Sequence, residues 1–127
     1  MLLNNNIKFV GKVEYNNMKS VWNEIDILLV TSKVEIMPLI VLEAFLSETI
    51  VISSNFSGVK NVIKNNVDGF VFNIKNYQEA IELIDFVVKR DSKLNNRMIE
   101  NALNKYLNDF SRPEIMAKKY AEKYSEL

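Results

Sequence analysis

The sequence DILLVTSKVEIMPLIVLEAFLS, residues 26–47, decides the fold of this chain. It opens with a continuous apolar run at 27–30, which is typical of a strand in a parallel sheet covered on both faces. A short polar connection follows, and Pro38 then opens a second apolar segment. Because proline suits the first turn of a helix, where its missing N–H is not needed, this second segment is predicted to be a helix.

Two carboxylates bracket the predicted turn between this strand and this helix. Glu35 precedes the helix, and Glu43 lies in its second turn. At helical spacing, Glu43 shares a face with Leu39, Ile40 and Leu46. A carboxylate among apolar side chains is costly unless something hydrogen-bonds it. Two interpretations follow: Glu43 bends out to solvent at a helix edge, or it faces a ligand at the mouth of an α/β crevice.

The rest of the chain alternates between the same two kinds of segment. Strand-like apolar runs occur at 7–10, 50–53 and 70–72. Helical patterns occur at 16–25, at 59–64, from 77 onward, at about 94–107 and at 115–124. This alternation predicts an α/β protein with right-handed βαβ units, a Rossmann-like parallel sheet with flanking helices, and a helical C-terminus. One domain is expected, with the Rossmann-like part at about 7–73 and the C-terminal helices at about 76–126.

Composition excludes several classes of function. The 16 basic and 16 acidic residues cancel, so no net field favours a nucleic-acid partner. Cysteine and histidine are both absent, which excludes disulfides, thiolate metal sites and a histidine base. No apolar run approaches the ~20 residues of a transmembrane segment, and the N-terminus has no signal-peptide pattern. Any chemistry must therefore come from carboxylates, hydroxyls, amides and backbone, and a cytoplasmic location is expected.

The pattern around the two carboxylates resembles a known enzyme family. Ser32-x-x-Glu35, then Pro38-Leu39, then Leu42-Glu43-Ala44 is similar to the signature of retaining GT-B glycosyltransferases of the family 4 type. Their donor-binding domain carries a Ser-x-x-Glu turn, a Glu-x7-Glu pair and a Leu-Glu-Ala helix. Further similar motifs cover most of the chain: Phe9-x-Gly11-x-Val13, Ser57-Gly58, Asp68-Gly69 and Phe110-Ser111. The resemblance implies that residues 1–127 are a partial, N-terminally truncated, C-terminal donor-binding domain.

The resemblance also implies an activity and a set of site residues. The family transfers a sugar from a nucleotide-diphosphate sugar to an acceptor with retention, without a cofactor or a metal. Glu35, the implied catalytic residue, would bind hydroxyls of the donor sugar, while Glu43 would bind the ribose and Val13 the base through its backbone. The remaining implied donor-binding residues are Ser32, Met37, Pro38 and Leu39. The N-terminus of the helix would offer N–H groups and a positive dipole end to the diphosphate.

A structural role stays open for several of these residues. Taken alone, Glu35 is also typical of a solvated loop, Ser32 of a turn cap and Met37 of core packing. Tyr15 and Trp22 could stack on a base, but aromatic residues at helical spacing are usually core.

The chain departs from the family pattern in ways that affect its expected activity. Ile36 stands where the family usually has Gly or Ser, and Glu48-Thr49-Ile50 stands where it usually has Gly-x-Pro. The Arg and Lys that bind the diphosphate lie in the family upstream of the segment similar to Phe9-x-Gly11, and nothing here corresponds to them. Nucleotide-sugar binding that is weak or absent, and no transfer without a partner, are therefore expected of the isolated chain.

Two functions and two kinds of partner follow from the resemblance. The first function is glycosyl transfer in the assembly of a surface polysaccharide or glycolipid, at the inner face of the membrane through the complete enzyme. The alternative is a non-catalytic half that binds a partner subunit, an N-terminal GT-B half supplying the acceptor domain. Self-association is also expected, because the strand at 7–10 lacks the neighbours it has in the family. Within one chain that strand is expected to pair beside 26–31.

Overall fold

The computed structural model describes residues 6–125, which form a parallel sheet between helices. Its three strands are β1 (Ile27–Val30), β2 (Ile50–Ser54) and β3 (Phe70–Phe72), in the order β1-β2-β3. Ile27 lies opposite Ile50 in the first pair, and Ile52 lies opposite Phe70 in the second. The predicted α/β, Rossmann-like class is confirmed.

Five α-helices and two short 3-10 turns connect and cover the strands in the described residues. The helices are α1 (Met18–Trp22), α2 (Leu39–Leu46), α3 (Tyr77–Lys89), α4 (Ser92–Asp109) and α5 (Pro113–Ser125). The 3-10 turns are Tyr15–Asn17, directly before α1, and Val59–Asn61, between β2 and β3. The helix predicted at 16–25 is therefore shorter than expected, and the one predicted at 59–64 is only a 3-10 turn. The C-terminal helices form as predicted.

The sheet separates two apolar cores because successive side chains of a strand point to opposite faces. On one face, Val51 packs with Val41 and Phe45 of α2. On the other, Ile52 packs with Phe70 and with Val87 of α3. Helix α4 contributes to both cores, through Ala102 on the first and Met98 on the second. Every residue of β2 is buried, as the continuous apolar pattern of a parallel strand requires.

The predicted strand at 7–10 does not form, and this prediction is wrong. Residues 7–14 lie outside any strand or helix, and Ile7, Phe9 and Val10 are 56%, 74% and 65% exposed. The expected pairing beside 26–31 is wrong as well, because β1 pairs only with β2 among the described residues. A strand is stable only when a neighbour satisfies its backbone groups and covers one face, and this segment has neither. Regular structure therefore begins at Tyr15.

Candidate functional site

The loops that follow the three strands meet at one edge of the sheet, because the carboxyl ends of parallel strands lie together. The hydroxyl of Ser54, the last residue of β2, donates to the carbonyl of Ser32 at 2.6 Å. Farther along, the amide of Gly58 donates to the carbonyl of Glu35 at 3.0 Å. The hydroxyl of Ser57 donates to the same carbonyl at 3.2 Å. These bonds fix the backbone of the β1–α2 loop, which carries Glu35.

The third loop is attached to the second through Asn55. Its amide N–H donates to the carbonyl of Phe72 at 2.9 Å, and its side-chain oxygen accepts from the amide of Ile74 at 3.0 Å. The segments after β1, β2 and β3 therefore form one hydrogen-bonded rim.

Gly58 allows the first two loops to approach each other closely. A Cβ at this position would lie 2.3 Å from the carbonyl oxygen of Ile36 and 2.7 Å from that of Glu35. Both are backbone atoms and cannot rotate away, so only glycine fits here without displacing the β1–α2 loop. The Ser57-Gly58 motif is thus explained by contact with the loop that carries Glu35.

Helix α2 begins at this rim without a side-chain cap. Pro38 is buried, and its carbonyl accepts from the amides of Val41 at 3.0 Å and Leu42 at 3.4 Å. The amide of Leu39 donates to the carbonyl of Met37 at 2.9 Å. The carbonyl of Pro38 already accepts hydrogen bonds within the first turn of the helix. Pro38 is therefore the least available of the residues predicted to contact the sugar donor. Leu39, which is 60% exposed, leaves the positive end of the helix accessible.

A cavity of about 650 Å³ lies in the groove between α2 and the segment that contains α1. Its walls combine aromatic, cationic, amide and carboxylate groups: Tyr15, Asn16, Met18, Lys19, Trp22, Asn23, Glu43, Leu46 and Ser47. Glu43 is half-buried in this wall, midway along α2. Among residues 6–125 its carboxylate has no hydrogen bond and no ion pair. An unpaired, half-buried carboxylate in a cavity wall is available to a ligand, as the ligand-facing interpretation of Glu43 requires, and the solvent-facing interpretation stays open beside it.

The other predicted site residues do not line this cavity, so the structure does not bring them together with Glu43 there. Val13 is the nearest in sequence, two residues before Tyr15, and it is half-buried. Its backbone groups have no hydrogen bond within the described residues. The remaining five belong to the β1–α2 loop and the start of α2: Ser32, Glu35, Met37, Pro38 and Leu39. A crevice shared by Glu35 and Glu43 therefore stays a prediction.

Sequence reasoning missed the wall of the cavity that faces α2. Trp22 is core, as expected, because it is 8% exposed and belongs to the first core, although it also lines the cavity. Tyr15, however, is 84% exposed, so its interpretation as a core aromatic is wrong. Asn16, Lys19 and Asn23 line the same wall. Their spacing of three and four residues places them on one face of a helix. This polar face is the pattern in the sequence that could have revealed the cavity wall.

A carboxylate-lined groove beside a parallel sheet with helices on both faces is typical of the Rossmann-like class of ligand-binding domains. Residues 1–105 match the profile of the family described as glycosyl transferases group 1. The chain belongs to this family.

Solved structures share this fold. The chain is similar to the C-terminal domain of a glycosyl transferase group 1 family protein, LpcC, from Francisella tularensis. The two are 24% identical with a TM-score of 0.72, and the match covers 80% of this chain and 52% of that one. HepE from Anabaena, in complex with UDP and glucose, is 22% identical with a TM-score of 0.80, over 97% of this chain and 33% of that one. The fold is therefore that of the C-terminal domain of a GT-B glycosyltransferase.

A curated relative is 31% identical over 96 residues. It is the UDP-Gal:alpha-D-GlcNAc-diphosphoundecaprenol alpha-1,3-galactosyltransferase of Escherichia coli. The match covers 76% of this chain and 24% of that protein, so the chain spans about a quarter of the relative's length. Within residues 6–125, every helix is too short or too polar to cross a membrane.

Proposed function

We propose that this chain binds the donor in the transfer of a sugar from a nucleotide-diphosphate sugar to an acceptor, with retention of configuration. The observation that carries the proposal is the unpaired carboxylate of Glu43 in the wall of a 650 Å³ cavity. Membership of the glycosyl transferases group 1 family supports sugar transfer as the reaction. The resemblance of Ser32-x-x-Glu35 and Leu42-Glu43-Ala44 to retaining enzymes supports the stereochemistry.

The cavity has the groups that a nucleoside requires. A carboxylate accepts hydrogen bonds from the two hydroxyls of a ribose, which is the role proposed for Glu43. The exposed ring of Tyr15, in the opposite wall, offers a face on which a base can stack. The free backbone groups of Val13 lie close in sequence and can hydrogen-bond the edge of that base. The nucleoside is therefore proposed to lie between α2 and the segment before α1.

The rim of the sheet has the groups that the diphosphate and the sugar require. The N-terminus of α2 has no side-chain cap, and it directs its positive dipole end and the amide of Ile40 toward this rim, while the amides of Leu39 and Val41 already donate to backbone carbonyls. Charge that develops on the leaving diphosphate would be stabilised there. Glu35, on a loop fixed by Ser57 and Gly58, is proposed to bind hydroxyls of the sugar. The proposed reaction requires no bound metal ion.

The relatives narrow the substrates that should be tested first. HepE has been solved with UDP-glucose, and the curated relative uses UDP-galactose. The acceptor of that relative is a sugar on diphosphoundecaprenol, a lipid. These names support a UDP-sugar as the donor and the assembly of a surface polysaccharide or glycolipid as the process, with the acceptor at the membrane surface.

The experiment is a titration of the chain with UDP-, GDP- and ADP-sugars, followed by the fluorescence of Trp22. Because Trp22 is the single tryptophan and lines the cavity, its emission reports occupancy directly. We expect saturable binding of at least one nucleotide sugar with a dissociation constant of roughly 1 mM, since few cations meet the diphosphate. Removing a hydrogen-bonding charge costs ~1.5–3 kcal/mol, so Glu43→Ala should weaken binding by about tenfold to a hundredfold.

The control variant is Glu82→Ala, which removes an exposed carboxylate from α3, a helix that does not line the cavity. It should bind the same nucleotide sugar as well as the unaltered chain does. The proposal fails if none of the three sugar nucleotides gives a saturable signal, or if the Glu43→Ala and Glu82→Ala variants bind alike.

A further inference from the structure

The cavity between α2 and the segment that contains α1 is lined by two opposite charges that do not pair with each other. Lys19 lies in one wall and Glu43 in the other. Over the described part of the chain, neither side chain forms an ion pair or a hydrogen bond. The groove is therefore positive on the α1 side and negative on the α2 side. A ligand that fits it must offer hydrogen-bond acceptors to the first wall and donors to the second.

The neighbours of Lys19 show what kind of ligand edge this wall can meet. Asn16 and Asn23 share its helical face and line the same cavity. Tyr15, four residues before Lys19, is 84% exposed and also lines the cavity. Because residues four apart are neighbours along a helical face, a flat ring that stacks on Tyr15 has its edge close to Lys19.

We propose that Lys19 selects the base of the nucleotide, favouring uracil or guanine over cytosine or adenine. This inference rests on the nucleoside lying in the cavity, as proposed above. Uracil and guanine present a ring carbonyl, O4 or O6, which accepts a hydrogen bond from an ammonium group. Cytosine and adenine carry an amino group at the corresponding carbon. Because an amino group donates, it cannot pair with an ammonium, which also only donates.

The other polar groups of the cavity cannot make this distinction. The carboxamides of Asn16 and Asn23 can each present either a donor or an acceptor, so they suit both kinds of base. Glu43 is proposed to bind the ribose hydroxyls, which are the same in all four nucleotides. Among the described residues that line the cavity, Lys19 is the one cation. The two walls therefore have separate tasks: Glu43 holds the nucleoside, and Lys19 distinguishes a keto base from an amino base.

The first test compares four nucleoside diphosphates on the unaltered chain, so it does not depend on the folding of a variant. NMR titrations with UDP, CDP, GDP and ADP measure dissociation constants in the millimolar range. UDP and CDP have rings of the same size, and so do GDP and ADP. Because Lys19 is exposed and water competes for its ammonium, its effect should be moderate. We expect UDP to bind about fivefold to tenfold more tightly than CDP, and GDP more tightly than ADP by a similar factor.

The second test removes the ammonium with Lys19→Met, which keeps an unbranched apolar side chain. This variant should weaken the binding of UDP and GDP about fivefold to tenfold and leave CDP and ADP nearly unchanged. The matched control is Lys93→Met, which removes the same charge from an exposed position on α4, outside the cavity. It should keep the preference for UDP over CDP. Glu43→Ala should instead weaken all four nucleotides by a similar factor.

The outcomes separate this inference from the proposed function. Equal binding of UDP and CDP by the unaltered chain would overturn the role of Lys19. So would a preference for UDP that persists in Lys19→Met. In both cases the donor role would stand, provided that Glu43→Ala weakens all four nucleotides. If none of the four binds, the donor role fails and the selection by Lys19 fails with it.

Discussion

Replacing Gly58 by alanine tests whether the contact between the two loops at the sheet rim holds Glu35 in place. The new Cβ would lie 2.3 Å from the carbonyl oxygen of Ile36, far inside van der Waals contact. Its backbone conformation, with φ of −82°, suits alanine equally well, so the effect should be purely steric. The β1–α2 loop must withdraw by about 1 Å to restore an ordinary separation. That movement strains the amide-to-carbonyl bond between Gly58 and Glu35, which is 3.0 Å long.

The magnitude follows from these two effects. Forcing an extra carbon into a packed position costs about 1–3 kcal/mol, and losing a backbone hydrogen bond adds about 0.5–1.5 kcal/mol. We therefore expect Gly58→Ala to lower the free energy of unfolding by about 2–4 kcal/mol, a large share of the stability of a domain of this size. Urea unfolding followed by circular dichroism measures this difference.

Two variants separate the causes. Gly69→Ala places a Cβ 3.1 Å from both the Ile63 side chain and the carbonyl oxygen of Val51, a contact that a small adjustment relieves. Ser57→Ala removes only the 3.2 Å hydroxyl bond to the carbonyl of Glu35. Both should lower the free energy of unfolding by about 1 kcal/mol or less. The reasoning is refuted if Gly58→Ala unfolds at the same urea concentration as the unaltered chain, or if Gly69→Ala is the more damaging change.

Two further predictions concern stability. Glu48 has φ of 58° at the end of α2, a conformation that suits glycine. Glu48→Gly should therefore raise the free energy of unfolding in urea by about 1 kcal/mol. A lower free energy of unfolding would contradict this. Asp68 is 5% exposed, lies 3.2 Å from the Lys105 ammonium and accepts from the Lys64 amide at 2.7 Å. Asp68→Ala should therefore lower the free energy of thermal unfolding by about 2 kcal/mol. Asp68→Asn keeps an oxygen that accepts from the Lys64 amide, so it should lower this free energy by about half as much. Equal losses would show that the hydrogen bond from the Lys64 amide is unimportant.

The local parts of the fold could be predicted from the sequence because their signals are local. The apolar run of β1 and the Pro38 start of α2 each depend on a few neighbouring residues, and both form where expected. The resemblance also covered the right region, since the family match spans residues 1–105. The strand expected at 7–10 failed because strand formation depends on a partner elsewhere in the chain, which periodicity does not report.

The candidate site was only partly predictable for the same reason. Glu43 could be identified because a carboxylate among apolar residues is a local anomaly. The close approach of Gly58 to Ile36 joins positions 22 residues apart, so no pattern within either loop reveals it. The cavity wall at Tyr15 and Lys19 likewise appears only when that segment is placed beside α2.

Helix α2 connects these features, and its two ends should respond separately to change. Its eight residues span about 12 Å, with the Gly58 contact before its first turn, Glu43 at its middle and Glu48 after its last turn. The amides of Glu48 and Thr49 donate to the carbonyls of Phe45 and Ala44, which closes the C-terminus independently of the rim. Glu48→Gly should therefore change stability without changing donor binding. Gly58→Ala moves the loop that carries Glu35 but leaves Glu43 in place, so it should weaken binding of a UDP-sugar more than binding of UDP. If both ligands weaken equally, Glu35 does not contact the sugar, and the role proposed for it is wrong.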